Sequence, residues 1–516
     1  MLKWLGGASQ NAGAEADLAR VKEMLSTLPD DAVRASQDAV QWLETASSEN
    51  EFLVSHSYEV IDLIDTGLKR HGLRLVDQYL ALKPQAKFQE GLLSRAAMGF
   101  WTALGNAYLA CVAREAEDKS GKTTAALRKN MPQLVARAMR AQVMQIKWIL
   151  MRYGYVGDSY WNTVAQLYEK AQAGGFVDEV VDIYGGAYGK GSVRQEFLRT
   201  LMLGVSSTGG LSPVRQNIAE RAIAHYSRSF VSSSEPMAGC NFFFDLNGGL
   251  SPARVLAQAP RDARLFYFGA GPALDEVQKA LETIDETGVL PPQLNLNTGT
   301  RDDEVTDTLL HLAFNWAKEL PARDSERRKV ASTLQVVHGF DGVLAAGGVD
   351  ASGGAGGVGL QETWVVENAS AEGFGMIVPE RRGEWLQVGV MLGLLPETGK
   401  QLWGAGIVRR VETDARGQRR VGIQVISRAI LSGTLCTCSL TGERGVPQNV
   451  VMLDPKPSSG GYMQMLLRPD VFTLRDELEV TRTVDAQAFM VMPSGLVESG
   501  PDFDRVRFKS EVPAEA

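Results

Sequence analysis

The sequence predicts a multidomain α+β chain: an N-terminal all-helical bundle, a small α/β module, a small β-barrel or sandwich, and a C-terminal β-rich region. Three observations predict it. At 516 residues the chain exceeds what a single hydrophobic core organises, so three or four domains are expected. Helical periodicity runs almost unbroken from about Asp17 to Phe230. Beyond Pro321 the pattern changes to short strand-like runs divided by glycines and polar turns.

In the helical part, Pro29-Asp30-Asp31 opens a helix with acids at the positive end of its dipole. From Leu92 to Val112 the residues Leu93, Ala96, Ala97, Phe100, Trp101, Leu104, Tyr108 and Cys111 fall at helical spacing and form one broad apolar stripe. A long helix is expected over Thr123–Tyr153, bent or interrupted near its start by Pro132. Shorter helices follow at Tyr160–Ala171, Val193–Leu203 and Pro213–Tyr226. No fixed-period repeat is present, which favours a bundle over a solenoid. After the linker-like Ser232–Cys240, strands are expected at Asn241–Leu246 and Arg264–Phe268, with helices at Pro272–Thr283 and Asp303–Leu320. The strand runs that follow are Val330–His338, Thr363–Val366, Met376–Val378, Gln387–Leu394, Leu402–Val411 and Arg420–Ile426. Asn449–Phe508 is also β-rich, and either forms a second small barrel or extends the first. The expected domains are therefore 1–230, 231–320, 321–430 and 431–516.

Composition excludes several classes of function. A net charge of −8 argues against a DNA- or RNA-binding protein, which needs a basic surface to neutralise phosphates. Four cysteines are too few for a disulfide framework, and Cys436-x-Cys438 has no histidine close by in sequence to complete a metal site. The first twenty residues hold no apolar h-region, and no uninterrupted apolar run reaches the ~18 residues of a membrane span. A cytoplasmic location is expected, with no cofactor.

Three glycine-rich segments invite a nucleotide reading. Gly121-Lys122-Thr123 resembles the end of a P-loop, but Ala116 stands where the first glycine belongs and a helix precedes it. Gly354, Gly356 and Gly359 spell GxGxxG with no helix after them, which makes a loop between strands. Gly269-Ala270-Gly271 does lie between a strand and a helix. It is either a short connection or a backbone anion site, and no catalytic cluster accompanies it. His225, His311 and His338 are each isolated, and an enzyme is not expected.

The informative residues lie around the first barrel. Arg323, Arg327 and Arg328 occupy a polar stretch between a helix end and a strand. Guanidinium groups pair bidentately with phosphate oxygens and stack on base faces, which suits a diphosphorylated purine ligand. Some forty residues on, Asn368 offers an amide to a guanine edge, Ser370 a hydroxyl, and Gly373 a tight turn of positive φ. The order Arg323-x-x-x-Arg327, strand, Asn368-x-Ser370-x-x-Gly373, strand, and late glycine in Val421-Gly422-Ile423 resembles the PilZ domain family over about residues 323–428.

That resemblance implies a six-stranded barrel binding cyclic di-GMP between the arginine arm and the NxSxxG turn. It also implies control of motility or biofilm formation through the helical domain or a protein partner. An alternative register begins at Arg328 and places Ser332 at the second arginine position. That register suits a scaffold which keeps the barrel, has lost the ligand and acts through the helical domain. The longer spacing from Arg327 to Asn368 is attributed to a glycine-rich loop, Gly347–Gly359.

Overall fold

The computed structural model describes residues 10–47, 54–83, 86–117, 124–184, 189–247, 249–255, 264–294, 301–319, 327–348, 361–379, 385–396, 402–437, 445–454, 461–469, 471 and 478–510. The chain divides into two compact units, Met1–Thr208 with Pro213–Pro321, and Gly209–Ser212 with Ala322–Ala516. The architecture is the mixed α+β multidomain layout that the sequence predicts, with two closed six-stranded barrels.

In the first unit, helices α1 (Gln10–Ser26), α2 (Ala32–Ser47), α3 (Val54–Leu80), α4 (Lys87–Glu117), α5 (Thr124–Met151) and α6 (Asp158–Ala173) are followed by a two-strand ladder. That ladder is β1 (Val181–Asp182) and β2 (Lys190–Gly191), and α7 (Val193–Val205) and α8 (Pro213–Tyr226) complete the helical part. By length and composition α4 is apolar enough to cross a membrane. Here its stripe of Leu93, Ala97, Phe100, Leu104, Tyr108 and Cys111 is buried against α2, α3 and α5.

Helix α5 is the hub, and Pro132 does not interrupt it. The lost backbone hydrogen bond is outweighed by packing, because Leu127, Met131, Leu134, Val135 and Met139 are all buried around it. Three of its cations share one face, and each meets an acid on a different neighbour. Arg137 pairs with Asp62 of α3, Arg140 grips Glu196 of α7 at 2.5 and 2.6 Å, and Lys147 donates to Glu220 of α8 at 2.8 Å. Asp65 of α3 accepts from the hydroxyls of Tyr108 at 2.7 Å and Tyr184 at 2.9 Å. Burial pushes its carboxyl up to about 6 despite the Arg137 guanidinium nearby.

A four-stranded antiparallel sheet, β3 (Val231–Ser233), β4 (Phe242–Asp245), β5 (Ala253–Arg254) and β6 (Leu265–Gly269), runs in the order β3-β6-β4-β5. Helices α9 (Pro272–Thr287) and α10 (Asp302–Trp316) follow it. The expected helix reached Leu320, but α10 stops at Trp316 because other side chains take its terminal carbonyls. Arg254 donates to the carbonyls of Asn315 at 2.6 Å and Ala317 at 2.7 Å, and Asn241 donates to that of Trp316 at 2.9 Å. The glycines of the β6–α9 connection answer to packing. A Cβ on Gly269 would strike the Gly239 carbonyl, and Gly271 sits at φ 51° against Val231.

In the second unit, β7 (Arg328–His338), α11 (Gly339–Gly347), β8 (Glu362–Ala369), β9 (Gly373–Ile377), β10 (Met391–Pro396), β11 (Gly404–Thr413) and β12 (Arg419–Ser427) form the first barrel. It closes antiparallel in the order β10-β11-β12-β9-β8-β7. The second barrel comprises β13 (Ile430–Thr437), β14 (Gln448–Leu453), β15 (Tyr462–Leu467), β16 (Leu478–Arg482), β17 (Ala488–Ser499) and β18 (Asp504–Ser510). Its order is β13-β14-β15-β18-β17-β16, so the C-terminal strands close a barrel of their own.

One element was not foreseen, and one expected strand is corrected. The insert between β7 and β8 opens with a helix, α11, whose Phe340, Val343 and Ala346 share a core with Met391, Ile407, Ile430, Val451 and Phe503 from both barrels. The strand expected at Gln387 begins only at Met391, because Gly389 turns the chain at φ 93° and its N–H donates to the Val408 carbonyl at 2.8 Å. Gly121-Lys122-Thr123, Gly354, Gly356, Gly359 and Cys438 lie outside the described residues. Cys111, Cys240 and Cys436 are free thiols.

Asp502, beside Phe503 in the shared core, has one buried carboxylate oxygen without a hydrogen-bond partner among the described residues, while the other accepts from Met391 N–H at 3.4 Å. Burial pushes its carboxyl up to about 7. A raised acid favours the folded state fully below its unfolded value, and that contribution fades as pH rises through the folded value. Asp502→Asn is therefore expected to stabilise this unit by about 2–4 kcal/mol at pH 8. The gain should shrink to nothing near pH 4, as read by urea denaturation across that range. A gain that does not change with pH would show that Asp502 is already charged and solvated.

Candidate functional site

One end of the first barrel gathers the residues singled out in the sequence. Strand β7 enters beside the β8–β9 turn, since the antiparallel register sets Arg328 opposite Ala369 and Lys329 opposite Asn368. Arg327, one residue before the strand, is exposed, and its guanidinium donates to Asn368 Oδ1 at 3.2 Å. Arg323 falls outside the described residues. Ser332, second in the alternative register, lies within β7 opposite Val366, away from the turn. The geometry therefore pairs Asn368 with Arg327.

In the turn, Ser370 N–H donates to the Gly373 carbonyl at 2.9 Å, and the Ser370 hydroxyl makes a long 3.5 Å contact with the same oxygen. The Glu372 carbonyl accepts from Val425 N–H at 2.8 Å and ties the turn to β12. Gly373 is not among the left-handed residues, so the expectation of a positive φ is corrected. Glycine is needed there because an added Cβ would collide with the Ile423 carbonyl across the β9–β12 ladder.

The register also exposes a feature that the sequence reading missed. Lys329, Asn368, Gly375, Gly422 and Arg410 are successive cross-strand partners on β7, β8, β9, β12 and β11. Partners share a face, and the flanking Met376, Val421 and Ile423 are buried, so this row lies on the outer wall. Two adjacent glycines give a lane without side chains, walled by Asn368 and Lys329 on one side and Arg410 on the other. Irregularities in register at Lys329/Ser332, Val366/Asn368 and Val408/Arg410 border this lane, where bulges re-aim side chains. The signal in the sequence was Gly373-Phe374-Gly375, because an interior strand glycine marks a close approach.

A Cβ on Gly375 would lie 2.6 Å from Asn368 Oδ1, so the Asn368 amide rests over this glycine. Gly375→Val should displace it and destabilise the barrel by about 1–3 kcal/mol. A thermal midpoint equal to that of the unmodified chain would show that the amide is not packed as described.

Residues 19–235 match the family model described as the N-terminal domain of the cyclic-di-GMP receptor FimW. The FimW match spans the helical part, including the α5 ion pairs, and ends at β3. It leaves the barrels outside. No curated protein matches the chain.

Proposed function

We propose that the chain is a non-enzymatic cyclic di-GMP receptor of PilZ type, with the ligand held at the open end of the first barrel. The observation that carries this reading is the Arg327–Asn368 hydrogen bond, which joins the arginine arm to the NxSxxG turn beside a glycine lane. Arg327 and Arg328 would take the phosphates, with Arg323 completing the arm. Asn368 would meet a guanine edge, and Ser370 and Gly373 would shape the turn. The FimW match supports the same reading from the other unit, since it is to a domain of a cyclic-di-GMP receptor.

On this reading 1–230 is the helical output domain, 231–320 the α/β module, 321–430 the ligand barrel and 431–516 a second barrel. The protein acts in the cytoplasm, and ordering of the arm would shift how the helical domain meets a protein partner in motility or biofilm control. Calorimetric titration of the full chain with cyclic di-GMP tests it. Saturable heat at micromolar ligand is expected, with none from GTP at the same concentration. A silent titration at tens of micromolar would leave a scaffold that has kept the barrel and lost the ligand.

A further inference from the structure

The second barrel carries a cationic cavity that the first-barrel reading does not use. It has a volume of about 490 Å³ and lies where β12 of the first barrel meets the outer wall of the second. Ile426 and Leu453 form its apolar side, and Tyr462, Gln464, Arg505 and Arg507 its polar side. The register explains the clustering. Arg505, Arg507 and Lys509 alternate with the buried Val506 and Phe508, so all three point outward from β18. On the neighbouring β15, Tyr462 stands opposite Lys509 and Gln464 opposite Arg507. On the other side, β17 places Gly495 opposite Arg507, with no described residue beyond its chain neighbours within 4 Å of the position its Cβ would occupy.

Charge in this cavity is unbalanced. Arg505 is half-buried, and its Nε donates to Gln464 Oε1 at 2.6 Å. Among the described residues it forms no ion pair within 4 Å, and Glu498, the nearby acid, is gripped by Arg409. Burial lowers the Arg505 pKa; Glu498, its cross-strand partner, opposes this, Arg409 and Arg507 add to it, and Asp454 opposes it more weakly, so the net direction is down. Asp454, the one acid lining the cavity among the described residues, accepts from the Ser427 hydroxyl at 2.9 Å and holds a left-handed φ of 47°. A guanidinium removed from water without a carboxylate is costly unless an anion completes it. Two guanidiniums, an amide and an exposed tyrosine ring around an open glycine also match the first barrel's set of amide, arginines and glycine lane. Arg–phosphate pairing and ring stacking are the chemistry these groups offer.

We infer that this cavity is a second binding site, taking a phosphate ester against Arg505 and Arg507 and an aromatic base against Tyr462. Cyclic di-GMP and a mononucleotide share that chemistry, inorganic pyrophosphate offers its phosphate part alone, and the test separates them.

The full chain would be titrated at low salt with cyclic di-GMP, GMP and inorganic pyrophosphate, each in turn. The proteins compared would be the unmodified chain, Arg507→Ala, Arg505→Gln/Arg507→Ala and Asn368→Ala. At least one of the three ligands is expected to bind Arg507→Ala tenfold or more weakly at a site that Asn368→Ala leaves intact. Binding of pyrophosphate alone would assign the site to phosphate groups. Preference for GMP or cyclic di-GMP would add recognition of the base. Arg507 is exposed and outside both cores, so its single variant decides the matter if the double variant shows a lowered thermal midpoint. Unchanged affinity and stoichiometry for all three ligands in Arg507→Ala would overturn the inference. Because Asn368→Ala reports on the first barrel separately, either site can fail without the other.

Discussion

Replacing Glu220 with glutamine is expected to cost the helical unit about 3–5 kcal/mol, the penalty for leaving buried charges uncompensated. Glu220 is buried on α8 between Lys147 of α5, whose ammonium also donates to Asn217 at 2.6 Å, and Arg199 of α7. Burial pushes its carboxyl upward, yet Lys147 and Arg199 together hold it well below the usual carboxylate range. A depressed acid contributes stability above its unfolded value and loses it as pH falls through the folded one. The unmodified unit should therefore weaken in acid below about pH 4, while Glu220→Gln loses its stability already at neutral pH. Among the described residues the remaining acid partner of Arg199 is Glu196 at 3.6 Å, which Arg140 already holds bidentately, so the network cannot redistribute the charge. Replacing Lys147, Arg199 and Glu220 together with apolar residues of similar volume should be far milder than the single change. Urea denaturation measures both. A loss under 1 kcal/mol in Glu220→Gln would mean that water reaches these charges.

The second large effect concerns ligand. Arg327→Ala and Asn368→Ala are each expected to raise the Kd for cyclic di-GMP about ten- to a hundred-fold, since charge-assisted contacts contribute about 1.5–3 kcal/mol. Arg327 is exposed and Asn368 half-buried, and both lie outside the cores, so the thermal midpoint should move little. They touch each other at 3.2 Å, and so the double variant should lose less than the sum of the single losses. Arg327 contributes through charge, and its loss should also flatten the salt dependence of binding. Affinity unchanged in both single variants would remove the arm and the turn from the site.

Much of this was legible because periodicity reports burial. The stripe on α4, the helices α6 to α8 and the β4 and β6 strands follow from apolar spacing, and each buries most of the residues that defined it. What escaped depends on partners far away in sequence. Nothing local to Trp316 announces that Arg254 and Asn241 will take the carbonyls at the end of α10. Pro132 argues for a break, and only the packing of α5 on its neighbours overrides it. Helix α11 is nine residues rich in glycine and alanine, and its apolar face makes sense only once both barrels exist to cover it.

At the candidate site, Arg327, Asn368 and Ser370 could be picked by residue chemistry. Gly373 reads in the sequence as a turn glycine, and the spacing Gly373-Phe374-Gly375 hints at a close approach without saying what comes near, because both glycines are set by cross-strand partners. Lys329 and Arg410 likewise join the row only through register.

Hydrogen exchange on the full chain, with and without saturating cyclic di-GMP, is the most direct check on where the ligand goes. Amides from Ser370 to Gly375 and those at the start of β7 should exchange more slowly when ligand is bound. Binding that leaves these amides unaltered, with slowing confined to other parts of the chain, would contradict a site between the arginine arm and the β8–β9 turn.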